Sequence, residues 1–475
     1  MNAGALAATP AGLAALRDLT AVTLDALDRG RARRAGPAPA GGPARVAGEL
    51  GRAVPVVLPE EGEGAEAALR RVVEAVAAGA ADPADPLCAA HLHAAPLAVA
   101  AAADLAASVL NPSLDSWDQA PAAGELERLV TGAVADLVYP GRRRADALVT
   151  TGATESNLVA LLLAREQRGP GIRVVCSADA HHSVGRAAWL LGLAPPVVVS
   201  TTGGRMGVGA LAEVLERTPG PLFVVATAGT TDRGVIDPIE PIAELTRRRL
   251  NTHLHVDAAY GGGLLFGGHR RLLAGLDRAD SVALDLHKLG WQPLPAGLLA
   301  VRESSALAPL SLVADYLNAD DDQEAGFPDL LGRSIRTSRR PDALKLAVTF
   351  RALGRSGIAR LTARCCTAAA AIADEIERRP ELRLLARPEI STVLFRPVAA
   401  DRLPPAEGNE LVAQVRRVLL ADGTAVIGRA TIAEDGLVWL KFTVLNPETE
   451  SVHWGRLLDL VGSAVTRLCA APAAA

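Results

Sequence analysis

Leucine and valine recur at helical spacing over residues 5–29 (Leu6, Leu13, Leu16, Val22, Leu24, Leu27), which predicts a helix running into a Gly/Pro/Arg-rich linker at 30–44. A second helix is predicted over 66–80, stopped by Asp82-Pro83. After a turn-like HLHAAP at 91–96, an alanine-rich helix reaches Leu110. A helix that is apolar all round packs on both sides, often against another subunit. Residues 111–121 are irregular, and 124–136 return to amphipathic spacing. The pattern then changes. Short β-branched runs at 147–150, 173–176, 197–200, 222–226, 253–256, 281–284 and 298–301 alternate with helical stretches. That alternation predicts an α/β fold, a mostly parallel sheet with helices on both faces. Such sheets bind ligands beyond the carboxyl ends of their strands. Helices at 344–353 and 358–377, with strands at 391–395, 424–427 and 438–444, predict a smaller α+β domain closing the chain. The expected division is an N-terminal helical segment (1–110), a large domain (111–355) and a small C-terminal domain (356–475).

Composition narrows the class. The 475 residues are 49% hydrophobic, 21% charged and only 3% aromatic, so the core must be largely Leu, Val and Ala. A net charge of −4 gives no reason to expect nucleic acid or an anionic membrane as partner. The five cysteines are scattered with no CxxC spacing, which fits a reducing cytoplasm better than a disulfide framework or a zinc site. No basic stretch precedes an apolar core at the N-terminus, and the apolar run at 94–103 meets Asp104 before reaching membrane-spanning length. A cytoplasmic protein is expected.

Two stretches carry the chemistry. HVDAAYGGG at 255–263 ends a strand on Asp257, and DSVALDLHKLGWQ at 280–292 places Lys288 just beyond the next strand. Carboxylate and amine at adjacent strand ends suit a cofactor with a cationic ring nitrogen and an aldehyde, a description met by pyridoxal phosphate (PLP). TTGATESN at 150–157 opens a helix with a glycine turn, whose unpaired N–H groups suit a phosphate, with Thr154 adding a hydroxyl. The plain alternative is an N-capped helix. AGTTDRG at 228–234 supplies further hydroxyls at a strand end. In SADAHHSVGRA (177–187), one of two adjacent histidines can stack on a flat ring. His181, His182, His253, His255 and Asp257 form no recognised metal spacing, and no metal is expected.

These segments, in this order, resemble the group II PLP-dependent amino-acid decarboxylases, the family of glutamate, aromatic-L-amino-acid and L-2,4-diaminobutyrate decarboxylases. LNPSLDSWDQAPAAGELE (110–127) is similar to the family's substrate segment. SIRTSRRPDALKLAVTFRALG (334–354) and LKFTVLNPET (440–449) look most like its bacterial diaminobutyrate-type branch. The resemblance spans about residues 85–450. It implies PLP fold type I (aspartate-aminotransferase-like) and a homodimer formed through the N-terminal segment, with the active site at the subunit interface. Carried over by motif, Lys288 is the Schiff-base lysine, Asp257 pairs with the ring nitrogen and His181 stacks on the ring. Ala153 and Thr154 hold the phosphate with His287 and Asp285; Ala259 lies under the ring, and Thr230 or Thr231 faces it. His91, His93, Trp117, Gln119 and Lys441 line the substrate pocket. The implied reaction is decarboxylation of an L-amino acid to its amine and CO₂ through an external aldimine and a quinonoid.

Two departures stand out. The family's loop tyrosine, the usual proton donor, is missing from DDDQEAGFPDLLG (320–332), where Phe327-Pro328 stands; Tyr316 is the nearest phenol. The acid could be His181, a water or Tyr316. Without it, a decarboxylating oxidase that forms an aldehyde is the alternative, followed by a catalytically silent PLP-binding homologue. Second, Lys441 occupies a position where relatives carry an arginine for a substrate carboxylate; otherwise it reads as a strand-edge lysine in water. Asp115 and Asp118 favour a cationic substrate, whereas Lys441 and Arg339 favour an acidic one.

Overall fold

The computed structural model describes residues 4–311, 321, 324–328 and 330–470. The three expected segments regroup into two compact units: one of residues 1–93, 367–387 and 391–475, the other of 94–366 and 388–390.

The second unit is built on a seven-stranded sheet. Its order is Asp146–Thr150, Gly297–Val301, Ser281–Asp285, Thr252–Ala258, Leu222–Thr227, Arg173–Ser177, Val197–Val199. All neighbours are parallel except Gly297–Val301, which runs against both of its own. Every residue of Leu222–Thr227 and Ser281–Asp285 is buried. Both faces of the sheet are therefore covered, which explains why these strands read as continuous apolar runs rather than alternating ones. Helix Ala153–Arg168 packs its Val159, Leu161 and Leu163 into the same core as Val174, Phe223 and Leu299.

In the first unit, strands Val426–Thr431, Val438–Thr443, Thr392–Pro397 and Leu382–Leu384 form an antiparallel sheet. The short strand Cys88–Ala89 adds to its edge in parallel. Phe395 and Phe442 meet edge-on at 4.8 Å in its core. The sequence does not predict the helix Gly42–Ala53, which starts in the last residues of the expected linker and runs beyond it. Glycine and proline suggest a linker there, yet proline in the first helical turn costs nothing because its missing N–H has no intrahelical partner. The two helices expected after residue 343 are both present within Ala343–Glu377, separated by a kink at Gly354, whose φ of 62° is one that glycine readily adopts. Among the described residues no helix is long and apolar enough to cross a membrane.

Candidate active site

Asp257 and Asp285 stand at the carboxyl ends of adjacent parallel strands. The register pairs Asp257 with Ala283. Side chains alternate along a strand, so Asp285, two residues on, shares the face of Ala283. Asp257 is 4% exposed; its Oδ2 accepts from Asn157 Nδ2 at 2.9 Å and its Oδ1 from the Ala259 N–H at 3.1 Å. Asp285, 6% exposed, accepts the Ala153 N–H at 2.7 Å through Oδ1. Its Oδ2 lies 3.0 Å from Lys288 Nζ and 3.5 Å from His287 Nε2. Ala153, Ala259 and Ala283 pack together as a small apolar cluster joining these segments.

The helix that supplies Ala153 starts where its sequence directs. Thr151 donates to Glu155 Oε2 from both its N–H (2.7 Å) and its hydroxyl (2.6 Å), leaving the Ala153 N–H to meet an anion at the helix N-terminus. Gly297 makes room for this turn. A Cβ there would stand 2.4 Å from Gly152 N and Cα.

His181 is half-buried, with Nδ1 2.8 Å from Ser183 Oγ and its ring 4.1 Å from that of His182. Burial pushes its pKa down; Asp257 opposes this, His182 and Lys288 reinforce it, and Asp285 opposes it. One imidazole thus senses both the Asp257 carboxylate and the Lys288 amine. Thr230 is buried and accepts the Val235 N–H at 3.3 Å; Thr231 and Thr154 are exposed.

The expected substrate residues divide. Trp117 packs on Phe327 with ring centroids 5.1 Å apart, so Phe327 rests on the segment expected to line the substrate pocket. Gln119 Nε2 donates to Asp115 Oδ1 (2.7 Å) and Ser116 Oγ (3.0 Å). Asp115 also takes the Ser113 hydroxyl. His91, His93 and Lys441 belong to the other unit, where both histidines are exposed. Lys441 is not a strand-edge residue in water. It is 8% exposed, in a strand paired on both sides, with its Cε over Gly428. Arg339 is not a free cation for an acidic substrate either, since its guanidinium holds both oxygens of buried Glu127 at 2.8 and 2.9 Å. Tyr316 lies outside the described residues. The sequence reading missed Asn157, Ser183 and Gly297. The Asn of TESN, one turn into the helix and on the face of Ala153, was the available signal.

This set fits PLP: a primary amine beside the strand end, a buried carboxylate fixed by two donors, a floor of methyl groups and a helix N-terminus already engaging an anion. Together with the parallel sheet, it defines a fold-type-I PLP enzyme. Comparison with known proteins agrees. The family model described as the pyridoxal-dependent decarboxylase conserved domain matches residues 48–398. L-2,4-Diaminobutyrate decarboxylase of Rhizobium meliloti (strain 1021) is 42% identical over 424 residues, covering 86% of this chain and 84% of that protein. Mouse acidic amino acid decarboxylase GADL1 is 32% identical over 76% of this chain and 70% of its own length. The solved glutamate decarboxylase domain of the diaminobutyrate-pyruvate transaminase and L-2,4-diaminobutyrate decarboxylase from Vibrio parahaemolyticus matches with a TM-score of 0.84 at 29% identity, over 97% of both chains. The chain belongs to the pyridoxal-dependent decarboxylase family and is a PLP-dependent amino-acid decarboxylase. The aldehyde-forming alternative finds no support in these relatives.

Proposed function

We propose that this enzyme removes the α-carboxylate of L-2,4-diaminobutyrate, giving 1,3-diaminopropane and CO₂, and that it works as a homodimer. The observation carrying the substrate assignment is the 42% identity to a diaminobutyrate decarboxylase over 86% of the chain. The pairing of Arg339 with Glu127 supports it, because it neutralises one of the two cations the sequence offered to an acidic side chain.

Bound PLP supplies an electron sink for the pair left on the α-carbon when CO₂ departs. The chain's own residues set the conditions. Lys288 is the amine for the cofactor's aldehyde, and Asp285, 3.0 Å away, holds that amine in place. Asp257 is the carboxylate for the ring nitrogen. An adjacent anion raises the pKa of that nitrogen and keeps it protonated, and Asn157 and Ala259 hold the Asp257 carboxylate in place with one hydrogen bond to each oxygen. The helix N-terminus that begins at Ala153 and the side chain of His287 are the phosphate partners, with the Ala153 N–H itself taken by Asp285. His181, tied through Nδ1 to Ser183, is the group for the ring face and a proton donor to the α-carbon.

The test is CO₂ release by purified, PLP-loaded enzyme from diaminobutyrate, ornithine, lysine, aspartate, glutamate and cysteine sulfinate, with mass spectrometry of the products. Diaminobutyrate should give the highest kcat/KM and 1,3-diaminopropane. Preferential turnover of an acidic substrate would overturn the assignment.

A further inference from the structure

Asn157 is 2% exposed, and its amide makes three hydrogen bonds. Nδ2 reaches Asp257 Oδ2 and Ser183 Oγ, each at 2.9 Å, and Oδ1 lies 2.9 Å from His255 Nε2. Behind it the chain continues. His255 Nδ1 is 2.8 Å from Ser281 Oγ, which is 2.8 Å from His253 Nε2. Valence gives this chain a direction. An ionised carboxylate only accepts, so the Asn157 NH₂ must face Asp257 and its oxygen must face His255. His255 then donates from Nε2, and its Nδ1 accepts the Ser281 hydroxyl; the Ser281 oxygen in turn accepts from His253 Nε2–H. On the other branch, Ser183 Oγ accepts the second Asn157 N–H, leaving its own hydrogen for His181 Nδ1. The Ser183 backbone N–H also approaches that nitrogen, at 3.3 Å. Two donors on Nδ1 put the proton of a neutral His181 on Nε2.

We propose that Asn157 is a positioning residue that reads the negative charge of Asp257 and, through Ser183, fixes His181 as the Nε2-protonated tautomer. The inference rests on the roles given to Asp257 and His181 above. Its consequence is that two catalytic groups in different segments cannot change protonation independently. A proton on Asp257 would free the amide to turn over, and the restraint on His181 would go with it. The charged and titratable groups facing His181 are Asp257, His182, Lys288 and Asp285, and its burial opposes a positive charge. A neutral imidazole is the form this surrounding and the hydrogen bonds jointly favour.

The side-chain ¹⁵N shifts of His181 in the full-length protein, with and without PLP, read the tautomer directly; the signal is assigned by its loss in His181→Gln. Wild type should show the Nε2-protonated form. Asn157→Leu should give mixed tautomers, raise the His181 midpoint by about one pH unit and lower kcat by about tenfold to a hundredfold with little change in KM. Ser183→Ala, a milder change in case Asn157→Leu folds poorly, should also mix the tautomers. His255→Gln keeps a donor toward Asn157 Oδ1 and should retain the wild-type tautomer, whereas His255→Leu should not. A pure Nε2 tautomer and an unchanged midpoint in both Asn157→Leu and Ser183→Ala, with only a lower Tm, would overturn the proposal. Should the wild-type protein bind no PLP or release no CO₂, the functional reading fails instead, and the tautomer readout on cofactor-free protein still stands.

Discussion

Lys288 Nζ lies 3.0 Å from one oxygen of Asp285, and the other oxygen of that carboxylate takes the Ala153 N–H at 2.7 Å. One side chain thereby links the amine to the helix N-terminus. If Lys288 attaches the cofactor, borohydride reduction of the loaded enzyme should leave a pyridoxyl mass on the peptide containing it. Lys288→Ala should lose that label and at least about 100-fold in CO₂ release. A labelled peptide elsewhere would refute the assignment.

Asp257→Asn retains the shape of the side chain and removes its charge. With the ring nitrogen no longer held protonated, kcat should fall about 10²–10³-fold, the scale for deleting one electrostatic partner of the reacting charge. KM should move much less. Steady-state kinetics with diaminobutyrate checks both.

Buried His253 and His255 have pKa values pushed down by burial from 6.5 to about 3. The unfolded chain therefore binds protons that the folded chain refuses. Stability is full above pH 6.5 and is lost as the pH falls toward 3. Asp237, raised to about 6 by burial, keeps a proton in the folded state and slopes the other way. Comparison with a variant isolates the histidine contribution. His255→Gln should flatten the pH dependence of urea unfolding by about 1.4 kcal/mol per pH unit between pH 6 and 4. Parallel curves would count against it.

Gly297→Ala should disturb the turn at Gly152, because its Cβ has nowhere to go. A cost of about 1–3 kcal/mol is expected from overpacking. Weaker PLP binding should accompany it, measured by cofactor titration alongside thermal unfolding.

Arg339→Met strands Glu127 as an uncompensated buried charge, which costs about 3–5 kcal/mol in denaturant unfolding. The KM for diaminobutyrate should be unchanged. A selective rise in KM without loss of stability would return Arg339 to the substrate.

Much of the sheet was legible because its strands are buried on both faces and read as short β-branched runs between helices. Each of the seven expected in the second unit is present within a residue or two of its expected limits. Cys88–Ala89 and Leu382–Leu384 were not legible, since they lack the β-branched run that marks the equally short Val197–Val199. Asp257 and Lys288 could be found because strand ends are where such sheets act. What each touches depends on contacts distant in sequence, such as Ala153 with Asp285 and Arg339 with Glu127, and no local pattern encodes those. The same holds for Lys441: its strand and its two neighbours are expected from the sequence, but not the pairing on both sides that buries it.

The pairing of Asp257 with Ala283, and of Gly297 with both Asp285 and Thr150, makes strand alignment itself a catalytic variable. A slip of one residue would turn Asp257 or Asp285 to the opposite side of the sheet while leaving the strand just as apolar. Regained turnover after refolding would therefore count the molecules whose strands found the right partners, where secondary-structure content alone would not tell them apart from misaligned ones.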